Sequence, residues 1–195
     1  MTNFYVYYMS VTLFVVRHGE TEENKLRILQ GHMPGTLTAQ GKEQAAAVGV
    51  RLAGETFDLM YCSDLQRCKD TAAIMNETLH LPVVYTPLLR ERDWGRSTGV
   101  SLLKERVPID PSAESVEAMF VRAQSFLRLL LEKHSGQRIL VVSHGLFLRI
   151  LISVIEGEYY KKVRPLENTE VRIFVVDHLP SGDELQKDEQ GATAN

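Results

Sequence analysis

Two histidines of this chain stand at the same kind of position, directly after an apolar run and directly before a glycine. The sequence reads FVVRHGETEEN at 14–24 and VVSHG at 141–145, which places His18 and His144 where apolar residues give way to polar ones. A neutral imidazole is a good nucleophile near pH 7, and Arg17 adds a fixed positive charge beside the first ring. These residue types suit an anion with several oxygen atoms.

Alternating strands and helices must position these residues. Apolar runs typical of buried strands occupy 11–16, 57–62, 83–85, 138–143 and 171–176. Helical patterns occupy 39–53, 64–79, 114–134 and 146–155. We therefore predict an α/β fold of three layers, with a mostly parallel central sheet and helices on both faces.

Ligands of such sheets bind outside the carboxyl ends of the strands. The segments VVRHG, YCSDLQR and VVSHG each end a predicted strand. We expect their polar residues to converge at one edge of the sheet, although they are far apart in sequence. The glycine after each histidine lets the backbone turn sharply and come close to a ligand.

Length and composition favour one domain. The chain has 195 residues and 44% hydrophobic content, which is enough for a sizeable core. We predict a single domain at 11–177, an N-terminal extension at 1–10 and a disordered tail at 178–195, where apolar periodicity is lost and charge increases.

Charge and cysteine content exclude several classes of protein. The net charge of −3 gives no basic field for nucleic acid, and no apolar run approaches the roughly 20 residues of a membrane span. Cys62 and Cys68 are the only cysteines, so we expect reduced thiols rather than a disulfide framework or a zinc site. The first residues do not have the pattern of a secretory signal, and we expect a cytoplasmic protein.

Several short motifs occur in order between residues 11 and 176. They are RHGETEEN at 17–24, QGH at 30–32, LTAQGKEQA at 37–45, SDLQRCKDTA at 63–72, LRERDWG at 89–95, AES at 113–115 and SHG at 143–145. In combination they resemble the histidine phosphatase superfamily, also called the phosphoglycerate mutase-like family. The resemblance implies that family's fold and, within its phosphatase branch, hydrolysis of a phosphate monoester.

The resemblance also implies a role for each matching catalytic position. His18 would accept the phosphoryl group and would later be freed by water. Arg17, Arg67 and His144 would surround the phosphoryl oxygens, where positive charge offsets the charge of the transferring group. Glu91 would protonate the leaving oxygen and then activate the water. Such a site needs no metal ion and no other cofactor.

Further matching positions are expected to bind the phosphate or to border its pocket. Asn24 matches an asparagine that donates to phosphate, and Ser63 matches a serine at the edge of the pocket. Gln30, Gly31 and Gly145 complete the predicted binding residues. The expected partner is a small phosphate ester, with neither nucleic acid nor membrane, and the sequence leaves the oligomeric state open.

The chain departs from the family pattern at two places. The family commonly reads D-x-P-L-T after the QG element, whereas this chain has Pro34, Gly35 and Thr36 before the leucine. A loop in the pocket wall is therefore altered. Ser112 and Ala113 replace the usual glycine pair before E-S, which changes the backbone path expected there.

The length of one connection bears on the reaction. Mutases of the family carry a longer insertion between the Glu91 region and the E-S element, where it covers the intermediate. A short cover exposes a phosphohistidine to water, so we favour a phosphatase, with a phosphoglycerate mutase as the alternative. A phosphate-binding module on an inactive frame and a metallohydrolase that uses His18 and His144 represent two other classes.

Overall fold

The structure, a computed structural model, describes residues 10–103 and 110–179. The predicted N-terminal extension at 1–10 and the predicted tail at 178–195 lie outside these residues, except for residue 10 and residues 178–179. The predicted domain boundaries therefore stay predictions. No helix among the described residues is long and apolar enough to cross a membrane.

A five-stranded sheet forms the centre of the fold. Its strands are β1 (Val11–Arg17), β2 (Leu59–Ser63), β3 (Val83–Thr86), β4 (Arg138–Ser143) and β5 (Val171–Val176), and their order is β3-β2-β4-β1-β5. The pairs β1–β4, β2–β4 and β2–β3 are parallel, whereas β5 pairs antiparallel with β1. The prediction of a mostly parallel sheet is confirmed.

Helices cover both faces of this sheet. They are α2 (Ala39–Leu52), α3 (Gln66–Leu79), α4 (Val116–Lys133) and α5 (Gly145–Glu156), whereas the short helix α1 (Glu22–Lys25) after β1 has no buried residue. Alternate side chains of β1 point to opposite faces, as in any strand. Leu13 packs in the apolar cluster with α4 and α5, while Phe14 packs in the cluster with α2 and α3. The three-layer prediction is therefore confirmed.

The helix that follows the first motif begins where the sequence predicts it. Thr38 is the N-cap of α2, and its side-chain oxygen accepts a hydrogen bond from the backbone N–H of Gly41 at 2.9 Å. Such a bond satisfies one of the amide groups that the first turn of a helix leaves unpaired. The cap fixes the point at which α2 meets the loop after β1.

The first turn of α2 lies directly against that loop. A Cβ atom at Gly41 would stand 2.1 Å from the carbonyl oxygen of Glu20, and one at Gly19 would stand 2.4 Å from the carbonyl oxygen of Gly41. Only glycine permits backbones to approach so closely. The contact holds the residues after His18 against a rigid helix.

We expect Gly41→Ala to lower the free energy of unfolding by about 1–3 kcal/mol, because the added methyl group must displace the Glu20 backbone. Urea denaturation at pH 7.5 measures the change. Gly54→Ala is the matched control, since a Cβ there meets no atom within 4 Å. Equal stability of the two variants would show that this contact tolerates a side chain.

Candidate active site

His18 follows the end of β1. Its backbone N–H donates to the carbonyl oxygen of Ser143 in β4 at 3.0 Å, and the residue is buried. The ring nitrogen Nδ1 lies 2.8 Å from the carbonyl oxygen of Gly19. Because a carbonyl only accepts, Nδ1 carries the hydrogen and Nε2 carries the lone pair. The geometry therefore assigns Nε2 as the nucleophilic atom.

His144 is the N-cap of α5 at the end of the neighbouring strand β4. Its Nδ1 accepts a hydrogen bond from Nε of Arg67 at 3.1 Å, so its proton is on Nε2. That nitrogen lies 2.8 Å from Oγ of Ser63, at the end of β2. The ring centroids of His18 and His144 are 5.3 Å apart. The predicted convergence of three strand ends is therefore observed.

Arg67 connects these groups. It lies in the first turn of α3, it is 1% exposed, and its Nε also points to Nε2 of His18 at 3.3 Å. The two terminal nitrogens donate to the carbonyl oxygens of Met33 at 2.7 Å and Gly31 at 2.9 Å. One guanidinium group thus contacts both histidines and the loop at 30–35.

Burial and positive charge keep both imidazoles neutral. Burial lowers the pKa of His18 well below its usual value, and the charges of Arg67 and Arg17 lower it further. The pKa of His144 is also well below its usual value because of burial, with added contributions from Arg67 and His18. A neutral ring keeps the lone pair that a nucleophile requires.

Arg17 is the last residue of β1 and supplies a second cation. Its Nη1 donates to the carbonyl oxygen of Leu166 at 2.8 Å. Its Nε is buried without a hydrogen-bond partner among the described residues, and a Cβ at Gly145 would stand 3.3 Å from it. A buried, unpaired donor on a cation is costly unless an acceptor binds there. This arrangement fits an anion, and the glycine leaves room for it.

Glu91 is held beside the start of α5. Its carboxylate accepts hydrogen bonds from the backbone N–H groups of Leu146 at 3.2 Å and Phe147 at 3.1 Å, and from that of Arg92 at 2.9 Å. Its charge raises the pKa of Arg17, which opposes the larger lowering caused by burial. The acid is therefore fixed near the cationic groups.

Thr21 connects two of the predicted phosphate-binding residues, Asn24 and Gln30. This threonine is the N-cap of α1 and forms a capping box with Asn24. Its hydroxyl also accepts a hydrogen bond from Nε2 of Gln30 at 2.9 Å. The side chain of Gln30 thus braces Thr21, while the backbone carbonyl of Gly31 holds Arg67.

The altered loop at 30–35 packs directly on Arg67. The carbonyl oxygen of Pro34 accepts the backbone N–H of Arg67 at 3.0 Å. Gly35 has a φ of +70°, and a Cβ there would stand 2.6 Å from Oε1 of Gln30 and 3.1 Å from Cδ of Arg67. The glycine between Pro34 and Thr36 therefore permits this close cover.

Two residues of the site were not predicted from the sequence. Thr71 accepts a hydrogen bond from the backbone N–H of Gly19 at 3.0 Å and donates to the carbonyl oxygen of Arg67 at 2.7 Å. Asn168 donates to the carbonyl oxygen of His18 at 2.9 Å. The threonine belongs to the SDLQRCKDTA motif, which could have indicated it, whereas no motif contains the asparagine.

A cavity of about 400 Å³ lies beside the loop that carries Glu91. Its lining residues are His32, Pro87, Arg90, Asp93, Ser112, Glu114 and Arg122. Nε2 of His32 lies 3.1 Å from the carbonyl oxygen of Glu91. The cavity offers space next to the predicted proton donor.

Metal-ligating side chains do not cluster in the described part of the chain. Within residues 10–103 and 110–179, no group of three or more His, Cys, Asp or Glu side chains could hold a metal ion. The thiols of Cys62 and Cys68 are buried and form no disulfide.

Comparisons with known proteins agree with the geometry. The sequence model of the histidine phosphatase superfamily (branch 1) matches residues 13–187. The chain is 35% identical over 147 residues to the uncharacterized phosphatase PhoE of Bacillus subtilis, a match that covers 73% of this chain and 76% of that protein. It is 34% identical over 181 residues to phosphoglycerate mutase-like protein 4 of Arabidopsis thaliana, with 83% and 78% covered. The crystal structure of the alpha-ribazole phosphatase from Shigella flexneri matches with a TM-score of 0.75 and 29% identity, and covers 86% of this chain and 95% of that chain.

The lowered pKa values predict acid sensitivity of the fold. An unfolded imidazole titrates near pH 6.5, above the folded value for His18. The unfolded state therefore binds protons first as the pH falls, and stability is lost below about pH 6.5 until the folded pKa is reached. We expect His18→Gln to weaken this dependence by up to about 1.4 kcal/mol per pH unit.

Urea denaturation between pH 7 and pH 5 measures the slope for the wild type and the variant. His178→Gln is the control, because that side chain is 79% exposed. An unchanged slope in His18→Gln would mean that the imidazole of His18 is protonated as readily in the fold as in the unfolded chain.

Proposed function

The chain belongs to the histidine phosphatase superfamily, and from this premise we propose that it hydrolyses a small phosphate monoester through a phosphohistidine on His18, without a metal ion. One observation carries the proposal above all. The buried, neutral ring of His18 directs its Nε2 lone pair toward Arg67, and a second cation, Arg17, has a buried donor without a partner in the described part of the chain.

In the first step the phosphoryl oxygens lie against Arg17 and Arg67. Nε2 of His18 attacks phosphorus, and the bond between phosphorus and the ester oxygen breaks. Glu91 gives a proton to the departing oxygen, so an alcohol leaves rather than an alkoxide. The N–H at Nδ1 keeps its hydrogen bond to the carbonyl oxygen of Gly19, so the ring stays in one orientation throughout.

In the second step water attacks the phosphohistidine. The ionised Glu91 takes a proton from the water as its oxygen bonds to phosphorus. The bond between phosphorus and Nε2 breaks, inorganic phosphate leaves, and the neutral His18 is restored. Ser63 and Arg67 each bond to one nitrogen of the His144 ring. These bonds support a role for His144 in fixing Arg67, which binds the phosphoryl oxygens.

Phosphoglycerate mutase activity is the alternative, and the similarity to a protein named as mutase-like favours it. A mutase would need a bisphosphate to start and would release little inorganic phosphate. A metallohydrolase would lose activity with a chelator. Phosphate release from a panel of sugar phosphates, phosphoglycerates, nucleotides and phosphoserine, with and without chelator, separates these reactions.

The remaining parts of the proposal concern binding and location. We propose that the alcohol part of the substrate occupies the cavity near His32, because that cavity adjoins the Glu91 loop. The buried thiols of Cys62 and Cys68, which form no disulfide, support a reducing, cytoplasmic location. A small phosphate ester is the proposed partner, and neither nucleic acid nor a membrane is part of the proposal.

We expect a covalent intermediate during turnover. Enzyme quenched rapidly with a phosphate ester labelled in its phosphoryl group should retain label after alkaline treatment and lose it in mild acid, because the acceptor is a ring nitrogen. Gel separation followed by counting of the label measures this.

His18→Ala is the required control and should carry no label and show no turnover. A circular dichroism spectrum equal to that of the wild type would show that its fold is kept. Label that resists acid, or label on His18→Ala, would contradict the phosphohistidine mechanism.

We expect Glu91→Gln to act according to the leaving group. The amide cannot supply a proton, and the loss of a general acid typically costs about 10²–10⁴-fold. The loss in kcat/KM should be large with an alkyl phosphate and smaller with p-nitrophenyl phosphate, whose leaving group is less basic. Equal losses on both substrates would show that Glu91 only shapes the pocket.

A further inference from the structure

The antiparallel strand β5 brings the segment 166–169 to the active site. Val16, near the end of β1, pairs with Val171 at the start of β5. The residues just before β5 therefore lie at the same edge of the sheet as His18. Besides the contact of Leu166 with Arg17 described above, the backbone N–H of Thr169 donates to the carbonyl oxygen of Arg17 at 2.9 Å.

Asn168 extends this contact to the nucleophile. The regular pairing of β1 with β5 ends at Val16 and Val171, and Thr169 has a φ of +57°, a left-handed conformation that is unusual for a β-branched residue. Beyond this turn the side chain of Asn168 supplies the donor, and its Nδ2 lies 2.9 Å from the carbonyl oxygen of His18. The side chain of Asn168 thus bonds to β1 beyond the point where the regular backbone pairing of β1 with β5 ends.

The second contact of Asn168 reaches a predicted phosphate ligand. Its Nδ2 lies 3.4 Å from Oδ1 of Asn24, and the same oxygen accepts the backbone N–H of Thr21 at 3.2 Å. A flipped amide at Asn168 would place oxygen against two oxygens, so the donor assignment follows from chemistry. The oxygen of Asn24 is engaged on both sides, and its Nδ2 is the group left to donate elsewhere.

We propose that Asn168 is a positioning residue for phosphoryl transfer, an inference that rests on the proposed function. It holds the carbonyl of His18, and with it the backbone that carries the imidazole. It also turns the amide of Asn24 so that Nδ2 serves as the phosphate donor. Asn168 itself does not contact the substrate.

Asn168→Asp tests the role, because it keeps the shape and replaces the donating NH₂ by oxygen. The ionised carboxylate would repel the His18 carbonyl and Oδ1 of Asn24. We expect kcat/KM at pH 7.5 to fall about tenfold or more, as small displacements of reacting groups commonly do. The inhibition constant of inorganic phosphate should rise as well, because Asn24 loses its orientation.

Acid should partly restore this variant, since a protonated aspartic acid can donate its O–H to the His18 carbonyl. Charged or titratable groups near this position include Arg17 and His18 on the β1 side, and Glu167 and Glu170 in the same segment, where Arg164 and Arg172 pair with Glu170. They are present in both proteins, so the ratio of wild-type to variant kcat/KM isolates the new carboxyl group. The ratio should shrink as the pH falls toward the pKa of the new carboxyl group, which for an unperturbed aspartic acid is about 3.9. Asn168→Ala should lose activity without this recovery.

Asn76→Asp is the matched control. Nδ2 of Asn76 donates to the carbonyl oxygen of Leu81 at 3.0 Å at the far end of α3, so the substitution removes the same kind of bond away from the site. It should lower the free energy of unfolding while kcat/KM stays within about twofold of the wild type at each pH. This control separates lost stability from lost positioning.

The outcomes decide whether Asn168 positions the reacting groups or only stabilises the fold. Values of kcat/KM within about twofold of the wild type for both Asn168 variants would overturn the proposal. If Asn168→Asp does not fold, Asn168→Ala decides through kcat and the inhibition constant of phosphate, and unchanged values overturn it. Failure of the proposed function would appear separately, as acid-resistant label on the wild-type enzyme.

Discussion

The buried guanidinium group of Arg67 is the constraint on which the active site depends. A cation at 1% exposure must have its hydrogen-bond donors satisfied, or the fold loses several kcal/mol. Among the described residues no carboxylate forms an ion pair with it, and its partners are the carbonyls of Gly31 and Met33 and the lone pairs of two imidazoles. Neutral acceptors satisfy the donors but do not cancel the charge. Burial is the larger cause of the low pKa of both histidines, and the remaining positive potential lowers it further and attracts a phosphoryl group.

Sheet topology explains how distant residues reach this cation. Strands β2, β4 and β1 are neighbours and run parallel, so their carboxyl ends bring Ser63, His144 and His18 to one edge. Strand β5 runs the other way, and for that reason its beginning, rather than its end, lies at this edge. An antiparallel edge strand thus adds the loop with Asn168 to a site built from parallel strands.

The sequence predicted the parts of the fold that depend on local patterns. Continuous apolar runs indicated all five strands, and the helical pattern from residue 39 indicated the start of α2, because both signals lie within a few residues. The four-residue helix α1 was not predicted, since it is too short to show helical periodicity. The histidines, arginines and Glu91 were indicated by motifs, and the structure gives the bonding partners of each. The role of Asn168 could not be predicted from the sequence, because its contact with His18 depends on the direction of β5 and on the turn at Thr169.

Charge balance links these buried groups to the proposed chemistry. Arg17 and Arg67 contribute two positive charges, and a phosphate monoester dianion contributes two negative charges, so the site with substrate is neutral when Glu91 carries a proton. That is the form in which Glu91 can protonate the leaving oxygen. After transfer, a phosphohistidine that keeps its Nδ1 hydrogen has one net negative charge, and ionised Glu91 adds another, so the sum is again zero. The two arginines therefore balance the negative charge of the site both before and after the phosphoryl group is transferred.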